Sequence, residues 1–333
     1  MAERLRWALL STANINRALI PPLKRAARST LSAVASRDLA RGRAYAAEWG
    51  IPRVFGSYEE MLADPEIDVV YNSLPNSMHA EWSAKAAAAG KHVLCEKPML
   101  QSQEEMDLLD AAVLHSGATI FEAFMYLHHP QTLQVVKMIG EGEIGTLQTV
   151  QSWFHHWLPP SDADNVRLQS SLVGGSAWDV AVYPNSYAIA ATGGLAPQEV
   201  WAQQIVGESG VDVSMRAQMR FAGDVTAQIS SGFRTPFREG AWFVGDAGIL
   251  QVEEPWKPGV NGKPSRVFLT RRDDSVQELR FDAVDPYDCE VAAMEACVLD
   301  GAPPVVPLSL SREFAKSMLA IYRSAESGLV ERP

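Results

Sequence analysis

Over about its first 120 residues the chain alternates short apolar runs with helical patterns, and few architectures accommodate that alternation. Trp7–Leu10, Thr30–Ala35, Ile67–Ser73, Lys91–Cys95 and Ala118–Phe121 read as strands. Helical patterns cover Ile15–Ala27, a stretch through Tyr45 and Trp49 stopped by Gly50 and Pro52, a segment from Asn76 or Ser77 to Gly90, and Ser102–Leu114. Strands joined by helices of that length require right-handed crossovers, hence an α/β domain with a doubly wound parallel sheet of the Rossmann type. Ligands of such sheets bind beyond the carboxyl ends of the strands.

After about Gly145 the pattern changes. Leu147–Trp157, Val200–Ile205, Ser214–Phe221, Val225–Phe233, Ala241–Val244 and Val267–Thr270 read as strands separated by turns. Helical patterns remain at Trp178–Ala191, Pro286–Leu299 and Ser309–Ser327. We therefore expect residues 1–124 to form the Rossmann domain and residues 125–333 an α+β domain on a large, mostly antiparallel open sheet. The sequence leaves open whether the final helix packs back on the first domain.

A chain of 333 residues with a formal net charge of -11 lacks the basic face of a general nucleic-acid binder. No apolar stretch reaches the roughly 20 residues of a membrane span. Cys95, Cys289 and Cys297 make no disulfide framework, so a reducing, cytoplasmic setting is expected. The adjacent pairs His128-His129 and His155-His156 lack zinc-ligand spacing, and no metal is expected.

The first strand-to-helix turn reads Leu10-Ser11-Thr12-Ala13-Asn14-Ile15-Asn16. It occupies the place of a glycine-rich dinucleotide fingerprint, with Ser11, Ala13 and Asn16 where small glycines are preferred. An ordinary capped helix start explains this segment equally well. The second strand ends at Ala35-Ser36-Arg37, where an NAD site would carry an acid for the ribose 2′-hydroxyl. A hydroxyl and a guanidinium suit a 2′-phosphate instead, although Asp38 follows at once. Cys95-Glu96-Lys97-Pro98 places an ammonium at the carboxyl end of a parallel strand, where it can stabilise a developing alkoxide.

These segments, with Leu74-Pro75-Asn76-Ser77-Met78-His79, resemble the family of glucose–fructose oxidoreductases and inositol dehydrogenases, Gfo/Idh/MocA. The resemblance continues through Phe121–Tyr126, His129-Pro130-Gln131, Gly142-Glu143-Ile144-Gly145 and Gly174–Pro184, and so covers nearly the whole chain. It is nearest to the aldose and dihydrodiol dehydrogenase branch, which often has Arg where Leu127 stands here.

The resemblance implies an enzyme that binds NADP in preference to NAD and moves a hydride between nicotinamide and a hydroxyl-bearing carbon. Its cofactor would lie against Ser11, Thr12, Ala13, Asn14, Ile15, Ser36, Arg37, Leu74, Pro75, Asn76, His79, Glu96 and Lys97. Tyr183 would be the acid/base, Lys97 its electrostatic partner, and Asp179 a group that orients the substrate or partners Lys97. Tyr126, Trp153, His155, Trp157 and Arg167 are candidates for substrate contact. Each has a plain structural alternative: alternating aromatics on a strand are usually core, and a loop arginine is usually solvated.

The absence of a basic cluster around Gly174–Pro184 points to a neutral sugar or vicinal diol as the small-molecule partner. A homodimer or tetramer through the second domain's sheet is expected, with no nucleic-acid or membrane partner. Two other classes compete. One is a cofactor-retaining glycosidase or a dismutating sugar oxidoreductase of the same family; the other is a non-catalytic, nucleotide-binding regulator.

Overall fold

The computed structural model describes residues 4–162, 164–260 and 262–333, which divide into two compact units. The first unit comprises residues up to Met125 together with Tyr287–Ser311. Its sheet holds β1 (Leu5–Leu10), β2 (Ser29–Ala35), β3 (Arg53–Phe55), β4 (Val69–Asn72), β5 (His92–Cys95) and β6 (Ile120–Glu122). The spatial order is β3-β2-β1-β4-β5-β6 with every pairing parallel, so all carboxyl ends share one edge. The order in which strands are added reverses between β1 and β4, which creates the switch point where such sheets take ligands. The strands are buried on both faces, as Trp7, Leu9, Val69, Val70 and Val93 at 0% exposure attest.

The helices of this unit begin and end on local signals. Asp38 caps α2 (Leu39–Trp49), accepting N–H bonds from Ala40 and Arg41, and Gly50 closes it in the left-handed region. Ser102 caps α5 (Gln103–Ser116) through Glu105 N–H, and Gly117 ends it. α1 (Asn16–Arg25) and α4 (His79–Ala88) complete the crossovers, with α3 (Tyr58–Leu62) between β3 and β4. β3 and α3 were not expected, because three and five residues carry too little periodicity.

The part of the later chain that joins this unit is Tyr287–Ser311, which includes most of α8 (Pro286–Asp300). Arg25 meets Asp288 and Arg28 meets Asp300, each at 2.7 Å, and the Ser29 hydroxyl donates to Glu295 at 2.7 Å.

The second unit comprises Tyr126–Pro286 and Arg312–Pro333. Its strands are β7 (Leu147–Trp157), β8 (Glu199–Val206), β9 (Asp212–Arg220), β10 (Thr226–Gly232), β11 (Arg234–Gly245), β12 (Gly248–Val252), β13 (Ser265–Arg271) and β14 (Val276–Phe281). They form one sheet in the order β14-β13-β12-β11-β7-β10-β9-β8. Only the β7–β10 pairing is parallel, so the sheet is mostly antiparallel as expected. α6 (Pro130–Gly140), α7 (Val182–Ala191) and the larger part of α9 (Leu308–Ser327) belong to the same unit.

Nine of the ten residues of α7 are buried, which explains its apolar composition on every side. The sequence reading missed α6, β12 and β14. β14 is an edge strand with no buried residue, and α6 starts at Pro130 directly behind its cap, His129. Among the described residues, no helix is long and apolar enough to cross a membrane.

Candidate active site

In the first unit the turn after β1 carries the fingerprint geometry without its glycine. Ser11 has φ 100°, a left-handed conformation that costs a β-carbon-bearing residue about 1 to 3 kcal/mol. Local bonds hold it there: Asn16 Nδ2 donates to the Ser11 carbonyl at 2.9 Å, and Ser11 N–H donates to Ala35 O at 3.1 Å. The first ladder bonds run from Asn16, Arg17 and Ala18 to the carbonyls of Ala13, Asn14 and Ile15. The amides preceding Asn16 therefore stand outside the ladder, as the donors of a helix N-terminus that attracts anions.

At the end of β2, Ser36 is buried and Arg37 exposed. Asp38, the residue that compromised the NADP expectation, spends its carboxylate on the α2 amides at 2.9 and 3.0 Å. Among the described residues neither Arg37 nor Arg41 has an ion-pair partner. A hydroxyl, unpaired guanidinium groups and a sequestered acid fit a dinucleotide bearing an extra phosphate.

The loops after β4 and β5 are tied together by His79, which is 1% exposed. Its Nδ1 lies 2.7 Å from the Pro98 carbonyl and its Nε2 2.8 Å from that of Leu74. Burial lowers its pKa to about 4, and the Lys97 ammonium acts in the same direction. Both ring nitrogens lie against backbone carbonyls, and the neutral imidazole donates its one N–H to one of the two. The ring thus bridges the loops that carry Leu74 and Pro98.

Tyr71 donates a short hydrogen bond to Glu96, and the Lys97–Pro98 peptide is cis. Behind the loop, Glu122 accepts the Met99 N–H at 2.9 Å, and burial pushes its carboxyl up to about 7. Glu122 was not singled out from sequence, because only pairing with β5 brings it beneath the lysine loop.

In the second unit the segment Gly174–Tyr183 enters a helix through a π-turn, Ala177–Ala181, which continues as α7. Asp212, 3% exposed at the start of β9, fixes this entry. It accepts bonds from the Ser176 hydroxyl at 2.6 Å, the Tyr322 hydroxyl at 2.7 Å and Ala177 N–H at 2.8 Å. A β-carbon on Gly175, whose φ is +119°, would sit 2.2 Å from Asp212 Oδ1, so only glycine fits. Asp179 pairs with Arg167, Nε to Oδ2, at 2.8 Å. Tyr126 lies beneath, its hydroxyl 3.2 Å from the Tyr183 carbonyl and 2.8 Å from Ser186 Oγ. Tyr126 is fully buried.

Tyr183 is surrounded by aromatic rings. Phe154 lies 5.4 Å from Tyr183, centroid to centroid, and Trp256 lies 5.6 Å from it. His156 shares the face of Phe154 and packs on Phe233 at 5.0 Å. Trp153, His155 and Trp157 alternate with these residues and so point to the opposite side of the sheet. There Trp153 packs on Trp242 and under Arg238, His155 Nε2 lies 2.9 Å from Ser230 Oγ, and Trp157 is 57% exposed. Phe154 and His156, rather than Trp153, His155 and Trp157, therefore share the face beside Tyr183. The alternation was legible, but which face lies beside Tyr183 depends on α7.

Comparison with known proteins gives a consistent picture. Residues 5–124 match the Gfo/Idh/MocA oxidoreductase family, NAD-binding Rossmann fold, and residues 132–251 match the Gfo/Idh/MocA C-terminal domain. The chain is 35% identical to a D-xylose 1-dehydrogenase (NADP(+)) of Haloferax volcanii over 97% of its own length and 98% of that protein. It is 28% identical to a trans-1,2-dihydrobenzene-1,2-diol dehydrogenase of Danio rerio, over 89% of each chain. Among solved structures, a 3-ketoreductase from Actinomadura kijaniata in complex with NADP and TDP-benzene superposes with a TM-score of 0.88 at 28% identity, covering 97% of this chain and 98% of that one. That reductase has also been solved with a tyrosine-to-phenylalanine and with a lysine-to-alanine substitution.

Proposed function

The chain belongs to the Gfo/Idh/MocA oxidoreductase family, and from that premise we propose that it is an NADP-dependent dehydrogenase or reductase acting on the CH–OH group of a neutral sugar or vicinal diol. The observation that carries the cofactor assignment is the Ser36–Arg37 edge with Asp38 withdrawn into the α2 cap. Relatives that are NADP-dependent or NADP-bound support it.

When bound, the nicotinamide supplies the hydride acceptor or donor. The chain's own residues do the rest. Tyr183 takes the hydroxyl proton in the oxidation direction. Free tyrosine has a pKa of about 10, so the step needs a neighbouring cation that favours the phenolate. Lys97 is the residue of this chain suited to that role and to stabilising the substrate oxygen. Asp179, aligned by Arg167, orients the substrate hydroxyl. Ser11 and the α1 amides hold the pyrophosphate, and Arg37 holds the 2′-phosphate.

The protein is further proposed to be a cytoplasmic homo-oligomer joined through the outer sheet face. Exposed Trp201, Trp242 and Trp157 support that surface. The test is a steady-state assay with NADP and NAD against neutral aldoses, polyols and trans-diols. Sustained reduction of added NADP supports the reading. A cofactor that copurifies and recycles without external acceptor supports a dismutating enzyme instead.

A further inference from the structure

We propose that Glu239 is a specificity-determining carboxyl that selects a polyhydroxylated sugar ring over a diol lacking distal hydroxyls; this rests on the dehydrogenase reading above. In the β7–β11 ladder Glu239 stands directly opposite Phe154, so both side chains rise from the same face of the sheet, the one beside Tyr183. The neighbouring residue Arg238 faces the other way, over the Trp153 ring.

Around Phe154 the wall is aromatic. Trp256 stacks on it at 5.9 Å with 21° between planes, Tyr183 lies at 5.4 Å, and Phe237 lies at 6.1 Å. Trp256 is wholly buried, whereas Phe237 is 65% exposed and so offers ring surface to a ligand. One carboxylate oxygen of Glu239 accepts the Trp256 N–H at 3.3 Å. The other has no protein partner among the described residues.

An apolar ring surface beside a single carboxyl is the chemistry that recognises a pyranose. The C–H face of the sugar lies against the aromatics, and a hydroxyl donates to the acid. A dihydroarene diol would use the rings but leave the carboxyl without its partner. Burial pushes Glu239 up to about 7, helped by Glu254 and opposed by Lys257. Near neutrality the group is therefore present in both forms, able to accept from a hydroxyl or donate to one. None of the sequence motifs marks this residue; the strand register alone brings it to the wall.

The experiment compares unmodified protein with Glu239→Gln and Phe237→Ala, using D-xylose, D-glucose and trans-1,2-cyclohexanediol. Glu239→Gln keeps the size and the acceptor for Trp256 N–H, and Phe237→Ala trims an exposed ring, so both variants retain the fold. Glu239→Gln is expected to raise KM for the aldoses about 10-fold while leaving kcat/KM for the diol within about 2-fold. Phe237→Ala is expected to weaken all three substrates by about 3- to 10-fold. Calorimetric titration of the NADP-loaded protein with D-xylose provides a readout independent of turnover. Loss of aldose binding in Glu239→Gln supports the carboxyl's role even if no dehydrogenase activity is found, in which case only the catalytic reading fails. Equal losses for aldose and diol, unchanged aldose affinity in Glu239→Gln, or no aldose binding by the unmodified protein would each overturn the proposal.

Discussion

Arg167 and Asp179 form an ion pair at 2.8 Å, joining the loop before the π-turn to the acid within that turn. The Arg167 guanidinium, a candidate for substrate contact, is therefore paired with a carboxylate of its own chain. A second anion would have to compete with Asp179, which favours a neutral substrate. Because the arginine side chain is 45% exposed, Arg167→Ala should cost less than about 1 kcal/mol of stability. It should reduce turnover of neutral sugars about 3- to 10-fold as Asp179 loses its alignment. The check is a panel of aldoses against uronates and sugar phosphates. A preference for the anionic sugars that disappears in Arg167→Ala would show that the arginine meets substrate.

Cofactor preference separates Arg37 from its neighbour. Arg37→Asp should lower the NADP-to-NAD ratio of kcat/KM by roughly 10- to 150-fold, the worth of one charged hydrogen bond. Asp38→Ala should leave that ratio within about 2-fold and lower stability by about 1 kcal/mol, because it removes the α2 cap. Equal affinity of the unmodified protein for NAD and NADP would contradict the assignment of Arg37.

Tyr183→Phe keeps the ring that packs on Phe154 and Trp256 but removes the proton-transfer group. Turnover should fall by about 10²- to 10⁴-fold while NADP affinity stays within about 2-fold. Near-normal turnover would move the acid/base role to another group, with His156 the first to test because it shares this wall.

Glu122 predicts a pH dependence of folding. Its carboxyl is raised by burial from 4.5 to about 7, so the folded state holds this proton more tightly than the unfolded chain. Its contribution is greatest below pH 4.5, falls as the pH rises towards 7, and is flat above that. The fall amounts to about 3 kcal/mol. Glu122→Gln removes this limb, so its stability relative to the parent should increase with pH across that window. Denaturant midpoints from pH 4 to 8 measure it, and parallel curves for the two proteins would contradict it.

Much of the framework was legible because its signals are local. β7 was expected at Leu147–Trp157 and found there, since its apolar residues and flanking turns are continuous in sequence. The lysine turn was legible because a strand of a parallel sheet must end at a ligand edge. Ser11 was harder: its glycine-like φ arises from bonds to Asn16 and Ala35, and nothing in the residue type announces it. The clamp by Asp212 joins residues 36 positions apart, and the wall of Phe154, Glu239 and Trp256 depends on strand register and a buried loop. Such pairings are set by packing across the chain, which no local window contains.

The strict alternation of β7 constrains how the protein can be altered in length. Phe154 and His156 face one side while Trp153, His155 and Trp157 face the other, so inserting or deleting one residue ahead of position 153 would exchange the two sets. The face beside Tyr183 would then be lined by side chains that belong on the outer surface, and that surface would receive Phe154 and His156. A two-residue change preserves sidedness and only shifts the strand along its partners. Library designs or chimeras that recombine this strand should therefore change its length in even steps, or place any odd change beyond Trp157, after the last residue whose direction matters to either face.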